Sequence, residues 1–136
     1  KVPAMAFFHM PPAEFKEAYE KMKLGDHSVI YEHGSIGEKD EYFGISNRPP
    51  HFFEKAVDNG WLKWIFCGHD HLNTLSLTYK GIRMTYGMSI DYLGYSGIAK
   101  QYIQRGATLI TRKTDGNIDI TMVPLTTVVS TRVRGA

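Results

Sequence analysis

Hydrophobic positions in the first third of the chain follow two different periods. Residues 4–8 form a short apolar run that ends at His9 and two prolines, which predicts a buried strand. Between residues 13 and 23, apolar side chains recur at spacings of three and four, which predicts one face of a helix. Residues 24–50 show neither period and are punctuated by glycine and proline, so we expect a long loop there, either functional or disordered.

Regular patterns return in the second half of the chain. Residues 51–59 predict a short helix, and the apolar residues 62–67 predict a buried strand. Apolar and polar side chains alternate on both sides of Lys80-Gly81, and again around Asp115-Gly116. Each of these patterns predicts a β-hairpin.

Two further segments carry no regular pattern. Residues 87–106 combine glycines with tyrosines and predict a second long loop. The tail, residues 126–136, is expected to be a solvated edge or a disordered end. The order of strand, helix, loop, helix, strand and hairpins favours a layered α/β or α+β fold.

Composition excludes several classes of protein. A chain of 136 residues is expected to form at most one domain. Its 16 basic and 14 acidic residues give a net charge of +2 without a basic run, so nothing indicates nucleic-acid binding. The apolar runs are too short to be membrane segments. The single cysteine, Cys67, lies in the apolar strand and is expected to be a buried small hydrophobe.

Candidate chemistry is concentrated in three histidines that follow predicted core strands. Gly68-His69-Asp70-His71 ends one strand and His9 ends another. Sites are commonly built at the carboxyl ends of strands in α/β sheets, and imidazole is the commonest metal ligand. We therefore predict a metal site made by His9, His69 and His71, for zinc, iron, manganese, nickel or copper. The alternative is that His9 is a hydrogen-bonded loop residue and that the His-x-His spacing is incidental.

The remaining polar candidates are weaker. Asp70 is expected to orient an imidazole or to make a loop hydrogen bond. His27, His33 and His51 lie in loops or at a helix start and are expected to be solvated, although His33 could reach the mouth of an active site.

Two motifs resemble a known family. Phe7-Phe8-His9-Met10-Pro11 and Phe66-Cys67-Gly68-His69-Asp70-His71 resemble the last two metal motifs of the calcineurin-like metallophosphoesterases, a superfamily that includes the purple acid phosphatases. The resemblance extends through Gly81–Gly87 and Arg105-Gly106-Ala107 and covers nearly the whole chain. It implies half of an αββα sandwich, a mixed sheet flanked by helices with C-terminal β-hairpins.

The resemblance also implies a dinuclear centre with two divalent or mixed-valence ions (Fe, Zn, Mn or Ni). His9 and His69 would bind one metal and His71 the other. The family's Asp-x-His, bridging Gly-Asp and Gly-Asn-His motifs are absent here, and with them its general-acid histidine, so no catalytic residue is assigned. The only Gly-Asp, Gly25-Asp26, follows a helix and lacks the context. Residues 1–136 are therefore expected to be the C-terminal portion of one metallophosphoesterase domain.

Expectations about activity and partners follow from this resemblance. The intact protein should hydrolyse phosphate esters, whereas the fragment alone should be inactive. Substrate contacts could come from four loop side chains: His33, Tyr92, Tyr95 and Arg105. The alternative is that the tyrosines pack the loops onto the sheet. The exposed sheet edge should favour self-association or a retained N-terminal half. The compartment stays open, with a secreted or periplasmic protein slightly favoured by the resemblance.

Two rival functions come from other classes. One is a non-catalytic metal- or ligand-binding module that uses His9, His69 and His71 structurally. The other is an interaction domain in which these histidines are incidental. An upstream sequence without the Asp and Asn motifs would favour the first. The absence of a bound transition metal, with stability unchanged by a chelator, would favour the second.

Overall fold

The computed structural model describes residues 2–45, 51–101 and 103–125. The chain divides into two compact units, residues 1–87 (unit 1) and residues 88–136 (unit 2). That both units belong to one domain stays a prediction.

Unit 1 is built on a mixed sheet flanked by helices. Among the described residues the sheet has five strands, in the order β1-β3-β5-β4-β2. The strands are β1 (Ala4–Phe7), β2 (Val29–His33), β3 (Leu62–Cys67), β4 (Ser76–Tyr79) and β5 (Ile82–Tyr86), and the helices are α1 (Ala13–Lys23) and α2 (His51–Asn59).

Strand direction decides what the sheet brings together. Strands β1, β3 and β5 run parallel, whereas β4 is antiparallel to both β5 and β2. The carboxyl ends of β1, β3 and β5 therefore meet at one edge of the sheet. This is the edge at which His9 and the Gly-His-Asp-His turn, residues 68–71, leave their strands.

Local sequence accounts for the bounds of α1. The helix begins after Pro12 and carries Lys21 and Lys23 in its last turn, where they complement the helix dipole. Gly25, two residues after the last helical residue Lys23, has a φ of 77° and ends the helix. The Gly25 and Asp26 amides donate to the carbonyls of Met22 and Lys21, the paired bonds of a Schellman motif.

The predicted hairpin of unit 1 is present. Tyr79 pairs with Ile82, so β4 and β5 are joined by the two residues Lys80 and Gly81. Both have positive φ, 49° and 77°, as a type I′ turn requires. The turn residues thus confirm the register that the alternating pattern indicated.

One face of the sheet carries the core. Phe15 and Ala18 of α1 and Phe53 and Ala56 of α2 pack in a single buried cluster with one side of the strands. The strand residues in this cluster are Val29, Ile65, Cys67, Leu77, Tyr79, Ile82, Met84 and Tyr86. Cys67 is buried as predicted, and burial raises the pKa of its thiol, so it is not a reactive thiolate.

The prediction of a continuous loop over 24–50 is wrong for Val29–His33, which form β2. This strand lies at the far edge of the sheet and pairs with β4. Its Ile30 and Tyr31 are both exposed, so the segment lacks the alternation of a half-buried strand. Residues 39–41 form a short 3-10 helix, and residues 46–50 of the predicted loop lie outside the described residues.

Unit 2 contains the second predicted hairpin. Strands β6 (Gly106–Arg112) and β7 (Ile118–Pro124) pair antiparallel from Gly106 opposite Pro124 to Arg112 opposite Ile118. The loop before β6 contains one short 3-10 helix, Ile98–Lys100, among its described residues. The predicted tail, 126–136, lies outside the described residues.

The fold class is therefore α+β, with a mixed sheet, flanking helices and a C-terminal hairpin, as predicted. None of the helices in the described ranges is long and apolar enough to cross a bilayer.

Candidate metal centre

The parallel pairing of β1 and β3 continues beyond the ends of both strands. The Phe8 amide donates to the Phe66 carbonyl at 2.9 Å, and the Gly68 amide donates to the His9 carbonyl at 3.0 Å. His9 is thereby held beside the first residue of the Gly-His-Asp-His turn. The backbone alone brings together two segments that are about 60 residues apart in sequence.

His69 adopts an unusual backbone conformation. Its φ is 71°, and the Asp70 amide donates across it to the Gly68 carbonyl at 2.9 Å. A three-residue hydrogen-bonded turn with positive φ at its centre is the rare, strained form of the γ-turn. Strain of this kind persists only where surrounding contacts hold it, and it is enriched at functional sites.

The turn points the imidazole of His69 at that of His9. Nδ1 of His69 lies 3.2 Å from Nε2 of His9, and the two rings are nearly perpendicular at 81°. His9 is exposed and His69 is half-buried, so solvent reaches the pair. Without a metal, one ring would donate to the other.

The spacing of these nitrogens also fits a shared metal. Two ligands at about 2.0–2.1 Å from a tetrahedral ion lie roughly 3.3 Å apart. In the part of the chain that the structure describes, no group of three or more His, Cys, Asp or Glu side chains is arranged to hold a metal ion. The pair therefore offers two ligands, and a metal would need further ones.

His71 follows in the same turn and is half-buried. The structure brings His9 and His69 together as the predicted strand-end pair. Coordination by His71 of a second metal stays a prediction.

Asp70 lies behind the histidine pair and is only 5% exposed. Its carboxylate accepts the Gly44 amide at 2.9 and 3.1 Å from its two oxygens, and the Tyr86 hydroxyl donates to it at 2.5 Å. Asp70 thus makes the loop hydrogen bond that the sequence predicted.

The segment before α2 completes the support. A Cβ on Gly44 would lie 2.0 Å from Cδ2 of His69, so glycine is required for the imidazole to pack there. The side-chain Oδ1 of Asn73 accepts hydrogen bonds from the backbone amides of Gly37 and Glu38, and its Nδ2 donates to the Tyr42 carbonyl. These hydrogen bonds hold residues 37–44 against the Gly-His-Asp-His turn.

Three further residues contribute to the site without having been predicted from the sequence: Gly44, Asn73 and Tyr86. Tyr86 was recognised only as a core position of an alternating strand. Gly44 and Asn73 carry no local signal, because their roles depend on contacts with residues distant in sequence.

His33, a predicted substrate contact, lies at the end of β2 next to Arg83. A guanidinium only donates, so the 3.1 Å contact makes Nδ1 of His33 the acceptor and places the proton on Nε2. That Nε2 is buried and has no hydrogen-bond partner among the described residues. Burial, then the Arg83 charge, lowers the pKa of His33. Its contact with a substrate stays a prediction.

The other predicted substrate contacts belong to unit 2. Tyr92 and Tyr95 are exposed, whereas Arg105 is 1% exposed. The Arg105 guanidinium lies 5.0 Å from the ring of Tyr92 and donates to three backbone carbonyls of its own loop. These contacts give Arg105 a structural role in unit 2, and substrate binding by Tyr92, Tyr95 and Arg105 stays a prediction.

Comparison with known proteins finds modestly similar relatives. Over 93 residues the chain is 28% identical to probable inactive purple acid phosphatase 29 and 31% identical to probable inactive purple acid phosphatase 28, both of Arabidopsis thaliana. Each alignment covers 68% of this chain, and 21% and 20% of the respective relatives. A third, probable inactive purple acid phosphatase 14 of the same plant, is 38% identical over 47 residues, which are 35% of this chain and 12% of the relative.

These relatives support the metallophosphoesterase superfamily. They also indicate a phosphatase-family origin for the chain. The chain spans about a fifth of the length of the first two curated relatives it matches. No family model matches the chain, and no solved structure does.

Proposed function

We propose that this chain is the C-terminal portion of a metallophosphoesterase domain whose intact protein hydrolyses phosphate esters at a dinuclear metal centre. The observation that carries the proposal is the pairing of His9 and His69 at 3.2 Å, at the carboxyl ends of adjacent parallel strands. The purple acid phosphatase relatives add independent support.

In this proposal His9 and His69 bind one metal and His71 binds the other. When bound, the metals would supply positive charge for the phosphate ester and a water of lowered pKa. The chain's own contribution is to hold the imidazoles in place through the γ-turn at His69 and the buried carboxylate of Asp70. The bridging carboxylate and the general acid would come from the N-terminal half.

Features of unit 1 support a missing half. Strand β1 is outermost in the described sheet, and its Met5 and Phe7 are exposed, Phe7 to 63%. Strand β1, α2 and the start of β3 line an open apolar cavity of about 370 Å³, with Phe52 and Trp61 among its lining residues. A strand with one unpaired edge beside an open apolar cavity is a surface that another part of the protein would cover, and alone it should favour self-association.

The test uses the intact protein, obtained by extending the coding sequence upstream. Its hydrolysis of an aryl phosphate should fall by orders of magnitude in His69→Ala and stay near wild type in His27→Ala, an exposed loop histidine. Elemental analysis should show about two metals per chain, with one preferentially lost in His71→Ala. Near-normal turnover in His69→Ala would overturn the metal assignment.

A non-catalytic metal-binding module is the second candidate. It is favoured by the names of the relatives, each a probable inactive phosphatase. An intact protein that binds metal at His9 and His69 yet does not hydrolyse aryl phosphates would select this function. An interaction domain would instead bind no metal, and a chelator would leave its stability unchanged.

A further inference from the structure

A buried hydroxyl group lies behind the histidine pair. Tyr86, the last residue of β5, is fully buried, with its ring stacked on Phe15 at 4.9 Å and 5.9 Å from Phe43. This packing leaves the phenol little freedom to turn. Its hydroxyl donates to Oδ2 of Asp70.

Asp70 links this hydroxyl to the direction of His69. The carboxylate of Asp70 is held by Tyr86 on β5 and by the Gly44 amide. The backbone amide of the same residue closes the γ-turn over His69. Because side chain and amide belong to one residue, fixing the carboxylate also restrains the turn that aims the imidazole.

The hydroxyl is suited to a permanent donor role. Burial, and then the hydrogen bond to Asp70, raises the pKa of Tyr86 well above its ordinary value, so the phenol keeps its proton. The Tyr86 hydroxyl therefore keeps donating this charge-assisted hydrogen bond to the Asp70 carboxylate.

We propose that Tyr86 is a positioning residue for the metal ligand His69, acting through Asp70. This inference rests on the proposed function, since it takes His69 as a ligand. Loss of the hydroxyl would free one side of the carboxylate, and the strained backbone at His69 would then relax away from His9. Mutation of a residue that supports and orients a metal ligand typically changes the metal affinity by about 10- to 100-fold.

The test compares Tyr86→Phe with Tyr79→Phe in the 136-residue chain. Tyr79 is a matched control, because it is also buried on the core face and its hydroxyl donates to Glu17, away from the turn. Two quantities are measured: the nuclear Overhauser effect between the ring protons of His9 and His69, and the Kd for Zn²⁺ by calorimetry.

Tyr86→Phe should weaken the His9–His69 Overhauser effect and raise the Kd for Zn²⁺ roughly 10-fold, whereas Tyr79→Phe should leave both unchanged. Thermal unfolding of both variants shows how much of each change accompanies a general loss of stability. If Tyr86→Phe does not fold, Asp70→Asn, which keeps the side-chain shape, should produce the same two changes.

The outcomes separate this inference from the proposed function. Wild-type values in Tyr86→Phe, or equal changes in Tyr79→Phe, would overturn the positioning role. If the wild-type chain binds no Zn²⁺, His9 and His69 do not form a metal site in this chain. The Overhauser effect then decides alone: a loss confined to Tyr86→Phe supports positioning, and no loss overturns it.

Discussion

Two buried charges organise two different loops. In unit 1, the carboxylate of Asp70 accepts hydrogen bonds from Gly44 and Tyr86. In unit 2, the guanidinium of Arg105 donates to the carbonyls of Asp91, Ile98 and Ile103. Both groups are almost fully buried and well hydrogen-bonded, as a buried charge must be.

The difference lies in where each network ends. The bonds of Arg105 end on the backbone of its own loop, so in unit 2 they order a segment. The bonds of Asp70 continue into a strained turn that presents His69 toward His9. Of these two hydrogen-bond networks, that of Asp70 leads to an imidazole that solvent reaches, and this makes it the candidate site.

The largest effects are expected from removing either of the two buried charges. Asp70→Ala would leave two buried donors without an acceptor. Arg105→Met would remove a donor from three carbonyls, of which that of Ile98 still accepts the Gln101 amide. Each variant should lower the free energy of unfolding by about 2–5 kcal/mol, because an unsatisfied buried group costs about 1–3 kcal/mol. Urea denaturation measures both losses.

The two variants should differ in what else they change. Asp70→Ala should abolish the Overhauser effect between the His9 and His69 rings. Arg105→Met should instead increase amide exchange in residues 89–104. Loss of the histidine contact in Arg105→Met alone, with the contact intact in Asp70→Ala, would contradict the assignment of the two networks.

Gly44→Ala perturbs the network of Asp70 at its second donor, the Gly44 amide. The new Cβ would lie 2.0 Å from the His69 ring and 2.6 Å from a carboxylate oxygen of Asp70, so the imidazole must move. We expect a destabilisation of about 1–3 kcal/mol, typical of overpacking, together with loss of the His9–His69 contact. Thermal unfolding and the same nuclear Overhauser effect measure the two changes.

Gly87→Ala is the control, because Gly87 follows β5 and its Cβ would meet the Cys67 carbonyl at an ordinary van der Waals distance of 3.6 Å. This variant should stay close to wild type. Equal effects of the two substitutions would show that the contact of Gly44 with His69 has no special role.

How far the site could be predicted depends on how local its signals are. The helices 13–23 and 51–59 and both hairpins were predictable, since their periodicity and turn residues lie in short windows. The pairing of His9 with His69 was also accessible, because both follow strands whose carboxyl ends share an edge.

The rest depends on contacts that no short window contains. Strand β2 gains its structure from pairing with β4, and its exposed Ile30 conceals the alternation. The requirement for glycine at position 44 arises from a ring 25 residues further along the chain, and the positive φ of His69 from the bonds around Asp70. Such features become visible only when the segments meet.

Substitution of His33 is expected to have the smallest effect. His33 is also a third kind of buried polar group, beside Asp70 and Arg105. Its Nδ1 accepts a hydrogen bond from Arg83, and its Nε2 has no hydrogen-bond partner within the described ranges.

Burial, followed by the charge of Arg83, lowers the pKa of His33 below its ordinary value of 6.5, whereas the charge of Glu32 acts to raise it. A lowered pKa means that the fold favours the neutral ring. The stabilisation is therefore present above pH 6.5 and is lost as the pH falls through the folded-state pKa.

Urea unfolding between pH 8 and pH 5 should accordingly show a smaller loss of stability in His33→Gln than in wild type. The exposed His27 gives the control, and His27→Gln should keep the wild-type pH dependence. Carboxylates that titrate in the same range act equally in all three proteins, so the difference isolates His33. An unchanged pH dependence in His33→Gln would show that the fold does not favour the neutral ring of His33.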